Sequence, residues 1–476
     1  MNCQVLISGA GPSGVAAGIL LAQLGWREIV IVERRAQQQG FDRERAFNYQ
    51  LEGRGQALLE RIGITQATMA AYGLPNDHFT LTRIAPGAQP KVITPPILVP
   101  DRQTPYWMTR TRLMAMLDGA LQPHLANGAI RLLEGHRFAG FADTATGQVA
   151  RVRTTTGEQL EFRPRLLLGC DGLHSQVRRG LVEHSDELAS RFYRVTHPSP
   201  SADLAYKVLN LPPSFDVQSP RCRVDDHAMA YAFTGRDREA DRRMALFALP
   251  VATAEDPRTV NIILPRNHRF WDLEGVPAIS EWLREHFPQF DVPAVAGAAE
   301  LAAFADAERG QFPQPQYTRH IYTALNGGSS EQAMHCVLLG DAAHAFPPDL
   351  GMGVNSALED VARLEAHLSP QALGAGLRAY AAEREPEHAA LVRLVQRVHP
   401  YQYNQVPWRL KLWTARFLFQ LLLHRGSRGL IEMPGFMLSQ LHRISFTEME
   451  QRFQAGNRAV QATLLGLALV GAAALA

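Results

Sequence analysis

Near its amino end the chain carries Gly9-Ala10-Gly11-Pro12-Ser13-Gly14, and nineteen residues after Gly14 it carries Glu33. Residues of these types at this spacing handle phosphate and ribose. Gly9 lets the chain turn off a strand, Gly11 lets a pyrophosphate approach the backbone, and Gly14 lets a helix sit close to the strand. Pro12 and Ser13 open that helix, whose first N–H groups offer partial positive charge to an anion. A carboxylate at Glu33 can accept both ribose hydroxyls and would repel a 2′-phosphate; Arg34 is a candidate beside it. The pattern points to an adenine dinucleotide.

Two later segments add chemistry. Cys170-Asp171-Gly172-Leu173-His174-Ser175 is followed by Arg178, and Gly340-Asp341-Ala342-Ala343-His344 runs through Pro347 and Pro348 to Gly351-Met352-Gly353-Val354-Asn355. Asp341 after a strand can accept a sugar-alcohol hydroxyl such as that of a ribityl chain, or can cap its own turn. N–H groups at the helix opened by Gly351 and Gly353 can hold an anionic ring edge. The two prolines stiffen the loop. Pro347 and Asn355 are the candidates closest to the chemistry. Asp171 reads both as a cofactor contact and as a turn cap, with Arg178 holding its loop. Glu359 and Asp360 read as structural, and His344 as part of a packed turn. No nucleophilic triad or metal-ligand cluster is expected. Gly374-Ala375-Gly376 also fits a nucleotide pattern, but it lies in a helical stretch with no strand before it.

The elements that must position these residues follow from periodicity. The runs 4–8 and 29–32 are apolar and strand-like, and 12–25 is helical, making a βαβ unit. Helical periodicity also covers 54–62, 110–122, about 353–368, 371–398 and much of 407–460, with Pro434-Gly435 as a break. Residues 130–168 read as short strands. The expected fold is α/β. A Rossmann-like FAD-binding domain spans 1–75, 106–180 and 331–400, interleaved with a mostly β substrate domain over 76–105 and 181–330. A helical region with an apolar tail spans 401–476.

The three motifs in this order resemble the class A flavoprotein aromatic monooxygenases, which have the p-hydroxybenzoate hydroxylase fold. The likeness extends over nearly the whole chain. Cys170-Asp171-Gly172 matches the family's DG motif, Gly340-Asp341 its GD motif, and Arg110…Leu113…Leu117 its Arg-led helix. Within that class the chain resembles the kynurenine 3-monooxygenases. The segment Arg45-Ala46-Phe47-Asn48-Tyr49-Gln50-Leu51-Glu52-Gly53-Arg54-Gly55, the segment Leu81-Thr82-Arg83-Ile84 and the stretch from Ser445-Phe446 to Arg452 carry that likeness. The resemblance implies FAD held by the residues named above and by Arg110. It implies NADPH (or NADH) as the electron donor, transfer of oxygen from a flavin C4a-hydroperoxide, and an electron-rich aromatic substrate. It makes Arg83 and His399 candidates for a substrate carboxylate, a role that Arg83 suits by geometry. Tyr106 and Trp107 read as pocket wall or core. Two departures stand out: the family's GQG is Gly351-Met352-Gly353 here, and its carboxylate-binding Tyr falls at His399. Two other readings of the fold remain open at this stage: an epoxidase or oxidative-rearrangement enzyme, and a prenyl-protein escort without flavin.

Bulk properties narrow the partners. The 476 residues carry 46% hydrophobic and 20% charged side chains and a formal charge of +2. That composition belongs to a globular protein and offers no basic field for nucleic acid. Cys3, Cys170, Cys222 and Cys336 are scattered and expected to be free thiols in a reducing, cytoplasmic setting. Val5 enters an apolar strand with no cationic stretch before it, so no signal peptide is expected. Residues 459–476 contain no charged side chain. They read either as a helix packed on the protein or as a peripheral membrane contact.

Overall fold

The chain is described here from a computed structural model over residues 3–36, 48–76, 79–94, 99, 103–144, 147–239, 242–325, 333–369, 371–403 and 406–475. Val5–Ser8, Ile29–Glu33 and Leu166–Gly169 are nearly unbroken apolar runs, the composition of strands covered on both faces. They form the middle of a six-stranded sheet in the order Tyr322–Leu325, Met334–Leu338, Leu166–Gly169, Val5–Ser8, Ile29–Glu33, Ile130–Glu134. All neighbours run parallel except the Tyr322–Leu325 edge strand. Ser8 lies level with Gly169, and Gly169 with Leu338. The three segments that leave these strands therefore emerge side by side at one sheet edge.

Helices Pro12–Gln23, Arg110–Ala126 and Gly353–Glu365 flank this layer. Pro12 starts the first helix, where its missing N–H costs nothing. The Thr109 hydroxyl accepts from Arg112 N and caps the second. Val5, Leu6, Ile7, Ile29, Val30 and Ile31 are fully buried. Each such side chain contributes about 1.5–3 kcal/mol relative to an exposed one.

A second, antiparallel-rich sheet has the order Gly310–Gln311, Leu204–Leu211, Arg258–Pro265, Arg242–Ala248, Ala230–Glu239, Leu81–Ile84, Lys91–Ile93. Leu81–Ile84 joins it in parallel to Ala230–Glu239, which is how a strand from the first quarter of the chain enters the later sheet. One face packs on helices Gly275–His286, Val292–Ala296 and Ala298–Asp306 through Phe233, Leu246, Ile262, Trp282, Phe287 and Phe304. The mostly β expectation for this region missed that helical layer, whose short periodic runs are punctuated by Pro277 and Pro293.

The C-terminal region comprises helices Leu373–Val398, Pro407–Gly426, Gly435–Leu438 and Phe446–Leu475. Phe446 and Met449 are buried against Leu391 and Val395 of the long helix. The far end behaves differently: Leu464, Leu465, Leu467, Leu469 and Val470 are 50–71% exposed. The packed-tail reading thus holds at Val460, which is buried, and not from Leu464 to Val470. Among the described residues no helix is long and apolar enough to cross a membrane. The four cysteines are free thiols, with Cys3, Cys170 and Cys336 buried.

Candidate functional site

The three glycine motifs meet at the carboxyl end of the parallel strands. Gly9 has φ +99°, a left-handed value that a side chain would strain, and a Cβ there would lie 2.5 Å from Cys170 O. A Cβ on Gly14 would collide with Gly9 O, so the helix sits directly on the turn. Gly340 approaches the Ser13 hydroxyl, which would stand 3.0 Å from an added Cβ. Gly11, Gly351 and Gly353 are different: a Cβ on any of them meets nothing within 4 Å. The first group closes the fold and the second faces open space. An open backbone cradle at a helix start is the shape a pyrophosphate or an anionic ring edge requires, so the residues present fit an FAD.

The carboxylates are placed by the strand ends. Glu33 terminates its strand, and its two oxygens accept Ala10 N at 2.9 Å and Arg35 N at 3.1 Å. A carboxylate has about four acceptor positions, so it retains capacity for further donors. Arg34 beside it is exposed. Asp341 is exposed just past Met334–Leu338. Asp171 caps the Gln176–His184 helix through Gln176 N at 2.7 Å and Val177 N at 3.1 Å. Its other oxygen is buried without a protein partner. Burial pushes this carboxyl above its usual range, against the pull of Ser175 and the helix N–H groups. Arg178 joins the second motif to the third, donating to Leu173 O at 2.9 Å and Ala342 O at 2.6 Å. Burial lowers its pKa to about 10.

Behind Gly340 lies a network that sequence reasoning underrated. Asp360 is fully buried on the Gly353–Glu365 helix. Its Oδ2 accepts Gly340 N at 3.0 Å and His344 Nε2 at 2.8 Å. Its Oδ1 accepts His388 Nε2 at 2.8 Å and Arg384 Nη2 at 2.7 Å. Burial works against its charge, but His388, His344 and Arg384 together hold the carboxyl well below the usual range. Burial also pushes His388 down to about 4, so near neutral pH it is a neutral donor and Arg384 is the countercharge. Donor atoms of His344, Asp360 and His388 lie within 4.8 Å of one another. The guanidinium and N–H donors already fill both Asp360 oxygens, so the cluster is a hydrogen-bond network that holds the third motif.

Asn355 does not face open space. It is fully buried, its Nδ2 donates to Gln50 O at 2.8 Å, and its Oδ1 accepts Glu52 N at 2.8 Å. It ties the Gly353–Glu365 helix to the segment before the Gly53–Arg61 helix, a positioning role in place of the direct contact expected from sequence. Arg54 reinforces that link through a buried ion pair with Glu359 at 2.9 Å and bonds to Leu441 O and Ile444 O. Pro347 is buried in its loop and Val354 is buried one residue into the helix. Arg110 starts its helix directly after the Tyr106–Thr109 strand. Tyr106 is buried in the main core, while Trp107 is half-buried near Phe79, with ring centroids 6.1 Å apart. Arg45, Ala46 and Phe47 lie outside the described residues.

Arg83 has exposed reach. Its neighbours Thr82 and Ile84 are buried, and strand alternation puts Arg83 on the face away from the helical layer. That face carries the cross-strand row Arg83, Ala232, Phe247, Asn261, Val208. Asn261 is buried there with an unpartnered Oδ1. His399 is set in another layer, its ring 4.5 Å from Trp413 and 5.3 Å from Phe436. The two residues expected to share a substrate carboxylate are thus anchored to different elements. A cleft of about 370 Å³ lies by Trp413, Arg416, Phe436 and Phe453, and none of the glycine motifs lines it. The motif geometry, and not that cleft, carries the functional reading.

Residues 2–202 and 332–395 match the FAD binding domain family. The chain belongs to this family. The match takes in all three glycine motifs and every strand of the six-stranded sheet except its antiparallel edge. Similar curated proteins include the kynurenine 3-monooxygenases of Salinispora arenicola (26% identity, covering 82% of this chain and 78% of that one) and Xanthomonas campestris (26%, 89% and 83%). Among solved structures the fold is similar to PqsL of Pseudomonas aeruginosa, a probable FAD-dependent monooxygenase (19% identity, TM-score 0.55, 86% and 99% covered). It is also similar to 2-methyl-3-hydroxypyridine-5-carboxylic acid oxygenase (18%, TM-score 0.58, 85% and 92%). The chain is an FAD-dependent monooxygenase with the class A flavoprotein fold.

Proposed function

We propose that the enzyme uses NADPH (or NADH) and O2 to hydroxylate an electron-rich aromatic compound bearing an amino or hydroxyl group. FAD would rest its pyrophosphate on Gly11 and the helix start at Pro12 and Ser13, with Glu33 on the adenosine ribose. Asp341 would accept from the ribityl hydroxyls, and the N–H groups at Gly351 and Gly353 would meet the ring edge. Bound FAD supplies the passage of electrons to O2 and the transfer of one oxygen atom to carbon. The protein's part is to hold these groups in place, keep water out and orient the substrate.

The substrate would sit on the sheet face that carries Arg83, Phe247 and Asn261. Arg83 is suited to a carboxylate and Asn261 Oδ1 to an N–H or O–H donor. The observation that carries the reading is the convergence of Gly11, Asp341 and Gly353 at one edge of the parallel sheet, with open space over both glycines. The test is a screen of aromatic amines and acids for stimulated NADPH oxidation under labelled O2. One labelled oxygen on an aromatic carbon supports the reading. A labelled epoxide or rearranged product moves the enzyme to a different oxygenation class. Consumption of NADPH with no oxygenated product overturns it in favour of an oxidase.

A further inference from the structure

The loop between the third motif and its helix contains an acid in an apolar setting: Phe346-Pro347-Pro348-Asp349-Leu350. Asp349 is 1% exposed. Its Oδ1 accepts the Ser201 hydroxyl at 2.5 Å, and Ser201 belongs to the Pro200–Asp203 turn that leads into Leu204–Leu211 of the second sheet. Its Oδ2 is buried with no partner. A buried carboxylate with one donor and no cation is costly, whereas a carboxylic acid in the same place needs little more than this one hydrogen bond.

The groups around it fit the neutral form. The half-buried Tyr403 is a neighbour, in a chain of rings that runs through Phe312 to Tyr206 of the second sheet. The Leu373–Val398 helix packs on the turn, but its Arg393 is bound to Glu450 at 2.7 Å and 2.6 Å, and Arg397 is exposed. Asp203 at the end of the Ser201 turn is exposed. Among the described residues no cation is placed to neutralise the carboxyl, and burial raises its pKa to about 7.

We propose that Asp349 is a positioning residue whose protonated carboxyl latches the Pro347–Gly353 loop to the substrate sheet through Ser201. The latch would fix the N–H groups of Gly351 and Gly353 relative to the face that carries Arg83. This inference rests on the flavin reading given above. It predicts that the loop loosens as pH rises through neutrality, when Asp349 ionises in a buried place with no cation beside it.

Two measurements separate the latch from the flavin reading. Infrared difference spectra of wild type against Asp349→Asn, with and without FAD, detect a protonated carboxyl directly. The expected band is present at pH 6, absent in Asp349→Asn and lost by pH 8.5. The affinity for FAD, read by flavin fluorescence, is expected to weaken roughly five- to ten-fold over the same range in wild type, the weight of one hydrogen bond. In Asp349→Asn, which mimics the neutral acid, it should stay flat. Ser201→Ala should be weak at both pH values while keeping its fold by circular dichroism. Identical FAD–pH profiles in wild type and Asp349→Asn, or no carboxyl band in wild type at pH 6, overturn the latch. A wild-type band without FAD binding at any pH overturns the flavin reading and leaves the protonated latch standing.

Discussion

Replacing Asp360 by Asn keeps the volume of the side chain and removes its charge. The structure sets the size of the effect. Arg384 is 2% exposed and its nearest other carboxylate is Glu359 at 3.8 Å, so the substitution leaves a buried guanidinium short of its countercharge. Breaking one partner of a buried pair costs about 3–5 kcal/mol, and the remaining pull of Glu359 puts the expectation near ~3 kcal/mol. The amide must also point a donor at one of its present donors, Gly340 N, His344, His388 or Arg384. Because Gly340 N loses an anionic acceptor, the third motif loosens together with the fold. Urea unfolding of the apoprotein should show the stability loss, and FAD titration should show weakened binding in the same variant. A loss under ~1 kcal/mol with unchanged FAD affinity would refute the assignment of Asp360 as the anchor of that motif.

Other outcomes follow from the same geometry. Gly11→Ala should fold with wild-type stability, since its Cβ meets nothing, yet bind FAD at least ~10-fold more weakly; Gly14→Ala should lower the unfolding midpoint itself because its Cβ strikes Gly9 O. His388 is held near 4, below its unfolded value, so the stability it contributes is present above about pH 6.5 and lost as pH falls toward 4. Asp349 is raised to about 7, so its contribution is present below about pH 4 and lost as pH rises through 7. Wild-type-minus-variant stability curves for His388→Gln and Asp349→Asn should therefore slope in opposite directions, each spanning at most about 3–4 kcal/mol; slopes of the same sign would contradict both assignments. Arg83→Ala should raise KM for a carboxylate-bearing substrate by ~10-fold or more with little change in FAD affinity, measured by steady-state kinetics and flavin titration.

Much of this site was readable in the chain because it depends on local patterns. The turn from Gly9 to Gly14, the acid at Glu33 and the placement of Asp341 after a strand each follow from a few consecutive residues and the strand before them. Their convergence needs only the rule that parallel strands present their carboxyl ends together. What was not readable depends on pairing across distance. His344, Asp360, Arg384 and His388 become one network only when two helices pack behind Gly340. Asn355 looked like a contact residue because it shares a helix with Gly353, but its carboxamide is taken up by Gln50 and Glu52. His399 and Arg83 were paired by resemblance; they stand on different elements, Arg83 on the Leu81–Ile84 strand and His399 at the end of the Leu373–Val398 helix, and only their long-range packing could bring them together. The acid at Asp349 was visible in an apolar loop, but its partner Ser201 lies 148 residues away.

The most direct test is a structure of the protein saturated with FAD, accompanied by its absorbance spectrum. The account predicts one noncovalent flavin per chain, with its pyrophosphate against Gly11 and its ring edge at the helix that begins at Gly353. A colourless protein that takes up no FAD, or one whose permanent nucleotide at Gly11 carries a nicotinamide, would contradict it.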